Sequence, residues 1–158
     1  MKKTLPYRPA AAIMLLNNDG KVFVAQRIDS ALEAWQMPQG GLDLDEEPVA
    51  GALRELEEET GIKPALVEII ARAPDVLLYD LPADLQGKIW RGRYRGQAQH
   101  WFLARFLGTD ADVDLETPEP EFRAWKWVEA GELVDLIVPF KRELYAKVVE
   151  AFVDHLPG

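Results

Sequence analysis

Glu55, Glu58 and Glu59 fall at i, i+3 and i+4 in the run Gly40–Ile62, GGLDLDEEPVAGALRELEEETGI. Pro48 near its start and Gly61 near its end bound a helix, predicted over Glu46–Thr60. Three carboxylates at this spacing repel one another on a bare helix. A hard divalent cation turns that repulsion into a binding site. The run therefore points to metal-assisted chemistry on a phosphate.

A helical wheel sharpens the picture. With Val49 at zero and about 100° per residue, Ala52, Leu53, Leu56 and Thr60 cluster with Val49 as a buried stripe. Glu55, Glu58 and Glu59 form an arc beside it, and Gly51 falls within the same arc. Glu46 and Glu57 fall on the other flank, as ordinary solvated charges. Gly51 costs about 1 kcal/mol relative to Ala in a helix interior. Its missing side chain either leaves room for hydrated metal or phosphate, or permits close backbone packing. Arg54 lies about 100° around the helix from Glu55, so the two do not face each other directly. Its fork of donors still suits it to orient a carboxylate.

The other segments suggest a mixed sheet with helices on its faces. Ala10–Leu16 and Val22–Arg27 form a predicted hairpin around Asn17-Asn18-Asp19-Gly20. Trp35–Pro38 is extended, and Gln39–Asp45 is a glycine-containing loop. Strands are predicted over 65–72, 76–79, 97–106 and 122–128. Ala83–Gly96 is irregular, Thr109–Pro120 is an acidic loop, and helices span 129–136 and 140–156. A chain of 158 residues is long enough for one domain with a real core.

Composition excludes several classes. There is no cysteine, hence no disulfide, zinc thiolate site or cysteine nucleophile. The basic start is followed by too short an apolar run for a signal peptide, and no segment approaches a membrane span. These features predict a cytoplasmic protein. The net charge of −9 argues against an extended nucleic-acid-binding surface, though not against gripping one end of a nucleic acid. Residues 43–59 alone hold eight carboxylates against the single Arg54. Bound divalent ions would offset part of that charge.

The full spacing adds a resemblance. Gly40, five residues, Glu46, seven residues, then Arg54-Glu55-Leu56-Glu57-Glu58-Glu59-Thr60-Gly61-Ile62 resembles the Nudix box, G-x5-E-x7-R-E-U-x-E-E-x-G-U with U apolar, at every specified position. The resemblance implies a Nudix fold, a mixed β-sheet sandwiched between α-helices (α/β/α). It also implies hydrolysis of a nucleoside diphosphate linked to another moiety, with Mg²⁺ or Mn²⁺. Tyr7-Arg8-Pro9, Trp35–Gly41, Tyr94–Gln97, Trp101-Phe102, Pro120–Phe122 and Val138–Arg142 resemble one subgroup. These are the bacterial (di)nucleoside polyphosphate hydrolases that also act as RNA pyrophosphohydrolases. One departure is Gln97-Ala98-Gln99-His100-Trp101, where the subgroup often carries basic residues in place of Ala98 and His100. That tilts toward small nucleotides; the length of the match tilts toward RNA 5′ ends.

From the resemblance, Glu55, Glu58 and Glu59 are metal-ligand candidates, joined by Glu121 and the Gly40 carbonyl. Glu55 is also the first choice for general base, with Arg54 beside it. Arg8, Arg27 and Lys141 are candidate phosphate ligands, each alone being more often a solvated charge. Tyr79 and Phe140 are candidates to stack a base, with core packing the alternative for Phe140. Trp35, Trp101, Trp125 and Trp127 are expected in packing roles. His100 is expected to be a surface or satisfied histidine, and His155 exposed. Three readings compete with hydrolysis of RNA ends or dinucleoside polyphosphates. One is a nucleotide-binding regulator without turnover, another an enzyme for a different substrate such as an ADP-sugar, and the third an acidic structural domain whose helix merely carries solvated glutamates.

Overall fold

The computed structural model describes residues 5–30 and 33–157. The basic residues at the very start of the chain lie outside them.

Strand β1 (Tyr7–Leu16) organises the molecule. From Ala10 to Leu16 it is buried on both faces, as an unbroken apolar run requires. Ala11, Ile13 and Leu15 point to one side, and Ala12, Met14 and Leu16 to the other. Its parallel neighbour is β6 (Gly96–Phe106), in register from Tyr7 opposite Gly96 to Leu16 opposite Arg105. β4 (Val67–Arg72) and β5 (Leu77–Asp80) share the outer edge of β6, both antiparallel.

The other edge of β1 is divided. β2 (Val22–Arg27) pairs with it at Leu16 and Val22, then diverges toward β7 (Phe122–Val128). Residues 36–41 fill the gap. Ala25 and Gln36 form a bridge, the Ile13 amide donates to the Pro38 carbonyl at 3.1 Å, and β3 (Gln39–Gly41) pairs with Ala10–Ala12. The segment expected to be a loop from Gln39 is thus a strand over its first three residues. The opened β1 edge leaves backbone groups that need partners, and Gln39–Gly41 supplies them.

Helix α1 (Pro48–Thr60) covers one face through Ala52 and Leu56. It begins two residues later than predicted and ends as predicted. Gly61 adopts φ 73°, and its amide donates to the Glu57 carbonyl at 2.9 Å. That left-handed stop suits glycine. α2 (Leu133–Leu136) and α3 (Arg142–Ala151) cover the opposite face with Leu133, Leu144, Tyr145 and Val148. Both are shorter than expected, because turns of 3₁₀-helix cover 130–132, 139–141 and 153–155. The result is an α/β/α sandwich around a seven-stranded mixed sheet. Among the described residues, no helix is long and apolar enough to cross a membrane.

Candidate active site

Three elements meet at the Gly40 end of the sheet: α1, β3 and the first half of β1. The meeting is close because β3 carries two adjacent glycines. The Glu55 carboxylate lies over Gly40 so closely that any side chain there would collide with it. The Arg8 guanidinium lies over Gly41 in the same way. Gly41 therefore belongs to the site, and the doubled glycine is its signal in the sequence.

The wheel needs two corrections. Val49 is 38% exposed, so it does not belong to the buried stripe. That stripe runs through Gly51, Ala52, Leu56, Glu59 and Thr60, which turns the helix toward β3. Gly51 offers no room for metal or phosphate, because Leu42 packs where its side chain would be, with Glu46 beside it. Close packing is the reason for that glycine.

Glu46 is the second correction. Its two carboxylate oxygens receive Arg54 Nε at 2.8 Å and Nη2 at 2.9 Å, and Oε1 also accepts the Asp43 amide. The Arg54 hydrogen bonds and the Asp43 amide hold its pKa down to about 2. It is therefore a structural anchor and not a solvated flank charge. Arg54 spends the rest of its fork inside the site. Nη1 reaches Glu55 Oε1 at 3.0 Å and the Glu58 carboxylate at 3.1–3.2 Å, and Nη2 reaches the Gly41 carbonyl at 3.0 Å. So Arg54 does contact Glu55 despite its position around the helix; its length makes up the angle.

The three box glutamates have different environments. Glu58 is exposed, with 58% of its side chain accessible. Glu55 is mostly covered, and burial raises its pKa against the pull of Arg54. Glu59 is 3% exposed, and its pKa is pushed well up by burial and by the charges of Glu121 and Glu55. A hydrogen bond from the Gln39 backbone and the nearby Arg27 oppose that shift. Its Oε2 is buried without a hydrogen-bond partner. An orphaned buried carboxylate oxygen is costly, and it suits a hard cation. Among the described residues, no three acidic or histidine side chains already converge into a finished metal cage. The donor set fits such an ion in chemistry: all oxygen, one oxygen left open, and like charges held close.

The predicted substrate residues gather around Tyr79. Lys141 Nζ lies 5.0 Å from the Tyr79 ring centre, and the Phe140 ring lies 6.1 Å from it. Arg8 and Arg27 are both near enough to favour ionised Tyr79, although burial dominates and raises its pKa. Tyr79 is itself buried, whereas Phe140 is 37% exposed and open to a ligand. Burial lowers the Lys141 pKa to about 8, with Arg27 adding and Glu59 opposing. Arg27 forms a two-pronged ion pair with Asp29 at 2.8 Å, a partner the sequence did not reveal. That pair raises the Arg27 pKa, and Glu121 and Glu59 favour its charged form too. Glu121 is exposed, and its backbone carbonyl accepts from the Ile28 amide at 2.8 Å, fixing it beside Arg27.

The remaining candidates lie elsewhere. His100 Nδ1 pairs with Arg72 Nη2 at 2.9 Å, so it is a satisfied histidine. Trp101 is in the core, and Trp125 and Trp127 pack around Phe23. Clefts near Asn17, Arg105 and His155, and near Lys21 and Trp125, open at the far end of β1 and contain no box residue.

The NUDIX domain family matches residues 6–148. The chain belongs to the Nudix family. It is similar to the RNA pyrophosphohydrolase of Sphingopyxis alaskensis, 60% identical over 94% of each chain. It also resembles that of Erythrobacter litoralis, 61% identical over 94% of this chain and 92% of the relative. The Roseobacter denitrificans protein of the same name is 56% identical over 96% and 95%. Among solved structures, an Ap4A hydrolase from C. elegans superposes with a TM-score of 0.67 at 22% identity, covering 94% of this chain and 99% of that one. E. coli dihydroneopterin triphosphate pyrophosphohydrolase superposes at 0.70 with 18% identity, covering 93% and 98%. These structures establish the shared Nudix fold. With relatives so similar across the whole domain, the chain is a Nudix hydrolase acting on acid anhydrides, in a family dependent on divalent metal.

Proposed function

We propose that this protein is a single-domain cytoplasmic enzyme that hydrolyses a phosphoanhydride bond in 5′-triphosphorylated RNA ends, dinucleoside polyphosphates, or both, using Mg²⁺ or Mn²⁺. One observation carries the proposal. Glu59 is buried with an open carboxylate oxygen beside Glu55 and Glu121, and it faces the cations Arg27 and Lys141. Anion-binding and cation-binding groups thus meet in one place, as metal-assisted phosphate chemistry demands.

Glu55, Glu58, Glu59, Glu121 and the Gly40 carbonyl would hold the metal. A divalent ion bound there would neutralise phosphate charge and make water easier to ionise. Glu55 takes the proton from the attacking water, with Arg54 fixing its carboxylate. The water oxygen forms a bond to phosphorus and a bridging P–O bond breaks, releasing phosphate or pyrophosphate from an RNA end, or a nucleotide from a dinucleoside polyphosphate. Arg8, Arg27 and Lys141 balance the polyphosphate charge. Lys141, with a pKa of about 8, is mostly protonated at neutrality. Phe140 stacks the first base, and Tyr79 packs against Phe140 at a tilt of 42°.

The complete box favours turnover over nucleotide binding alone, and the relatives' names favour RNA ends among the substrates. The test is a product analysis with triphosphorylated RNA, Ap4A-type dinucleotides and ADP-sugars offered side by side. RNA or dinucleotide is expected to react fastest. Preference for an ADP-sugar would overturn the substrate assignment.

A further inference from the structure

The chain is strongly acidic, yet one stretch is not. Lys88–Arg95, KIWRGRYR, carries four basic residues and no acid. Lys88, Arg91 and Arg93 are exposed and have no ion-pair partner among the described residues. Only Arg95 is engaged, with Asp80 at 2.8 Å. A run of charge is usually just a solvated face, but three features set this one apart. Trp90 and Tyr94 stand edge to face within it, at 6.3 Å between ring centres, and both are partly open. The segment is joined to the active site, since the Arg8 guanidinium that covers Gly41 also lies 5.4 Å from the Trp90 ring centre. Its backbone is held in a rare shape, with Trp90 at φ 50° and Arg91 at φ 57° between Gly87 and Gly92. Bulky residues in the left-handed region are uncommon and gather at functional sites.

We infer that Lys88–Arg95 is a track for single-stranded RNA downstream of the 5′ end, with Arg8 as the junction between track and catalytic site. Cations that follow a phosphate backbone, interleaved with aromatic rings that accept any base, are the chemistry of sequence-tolerant single-strand binding. A dinucleoside polyphosphate has no such downstream chain. The track thus favours RNA over small nucleotides at a site able to take both, and it extends the RNA-end reading of the function.

The double variant Arg91→Asn/Arg93→Gln tests this, asparagine being tolerant of left-handed backbone. With a 20-nucleotide 5′-triphosphorylated single strand, KM is expected to rise about tenfold with kcat unchanged. A triphosphorylated dinucleotide should react as before. The log–log salt dependence of binding should flatten by about 1.4, two phosphate contacts fewer. Anisotropy with a 5′-hydroxyl 20-mer reads the track without hydrolysis. Weakened binding there supports the track even if the wild-type protein cleaves no phosphoanhydride, which would sink only the catalytic reading. Equal losses on long and short substrates, or no change on either, would overturn the inference. So would loss of binding to phosphatidylglycerol vesicles with RNA binding intact, which would mark a membrane contact instead.

Discussion

Glu59 stores an electrostatic cost in the folded protein. Its raised pKa means that stability is lost as pH rises through the folded-state value, because folding then confines an ionised carboxylate. Glu59→Gln should therefore stabilise the metal-free protein at pH 7 by about 1–2 kcal/mol, or roughly 2–8 °C in Tm for a chain of this size. The gain should fade below about pH 4.5, where the wild-type carboxyl is neutral in both states. Thermal unfolding in chelator across this range checks it, and the same variant should lose most of the rise in Tm that Mn²⁺ gives the wild type. Glu46 has the opposite sign. Held at about 2 by Arg54, it stabilises the fold above its ordinary value of 4.5 and loses that contribution as pH falls toward 2. Glu46→Gln should be less stable than wild type at pH 6, and the two melting curves should converge in acid.

β3 and α1 meet at the centre of the site, and their closeness depends on Gly40. Its backbone is not left-handed, so alanine there strains no dihedral angle. The added methyl group instead displaces the Glu55 carboxylate. Gly40→Ala should fold with nearly unchanged Tm and lose about 100-fold or more in kcat, since a small misplacement of a reacting group is enough. Steady-state kinetics beside a melting curve separates the two effects. The helix and the box were legible in the sequence because proline, glycine and carboxylate spacing are local signals. The strand at Gln39–Gly41 was not. It has no alternating pattern, and it forms only because β2 leaves β1 after one residue pair. The role of Glu46 was hidden too, since the wheel places residues by angle and Arg54 reaches across by length.

Across the whole molecule, the parallel pairing of β1 with β6 brings together what is far apart in sequence. Arg8 enters on β1, Arg27 ends β2, Tyr79 comes on β5, and Lys141 precedes α3. The sequence named these residues only through resemblance; their assembly around one ring needed the fold. The contact of Arg8 with Trp90 had no sequence signal, because the irregular segment 83–96 has no periodicity to read. The acidic excess is concentrated at the box, so a bound divalent ion should affect both stability and activity. The decisive measurement is phosphate or pyrophosphate release from 5′-triphosphorylated RNA with Mg²⁺ or Mn²⁺, by wild type and by Glu55→Gln. The wild type should turn over, and the variant should retain its fold and bind RNA while losing at least about 100-fold in kcat. A wild type that binds the RNA yet releases no product with either metal, or a Glu55→Gln variant as active as wild type, would contradict the central claim.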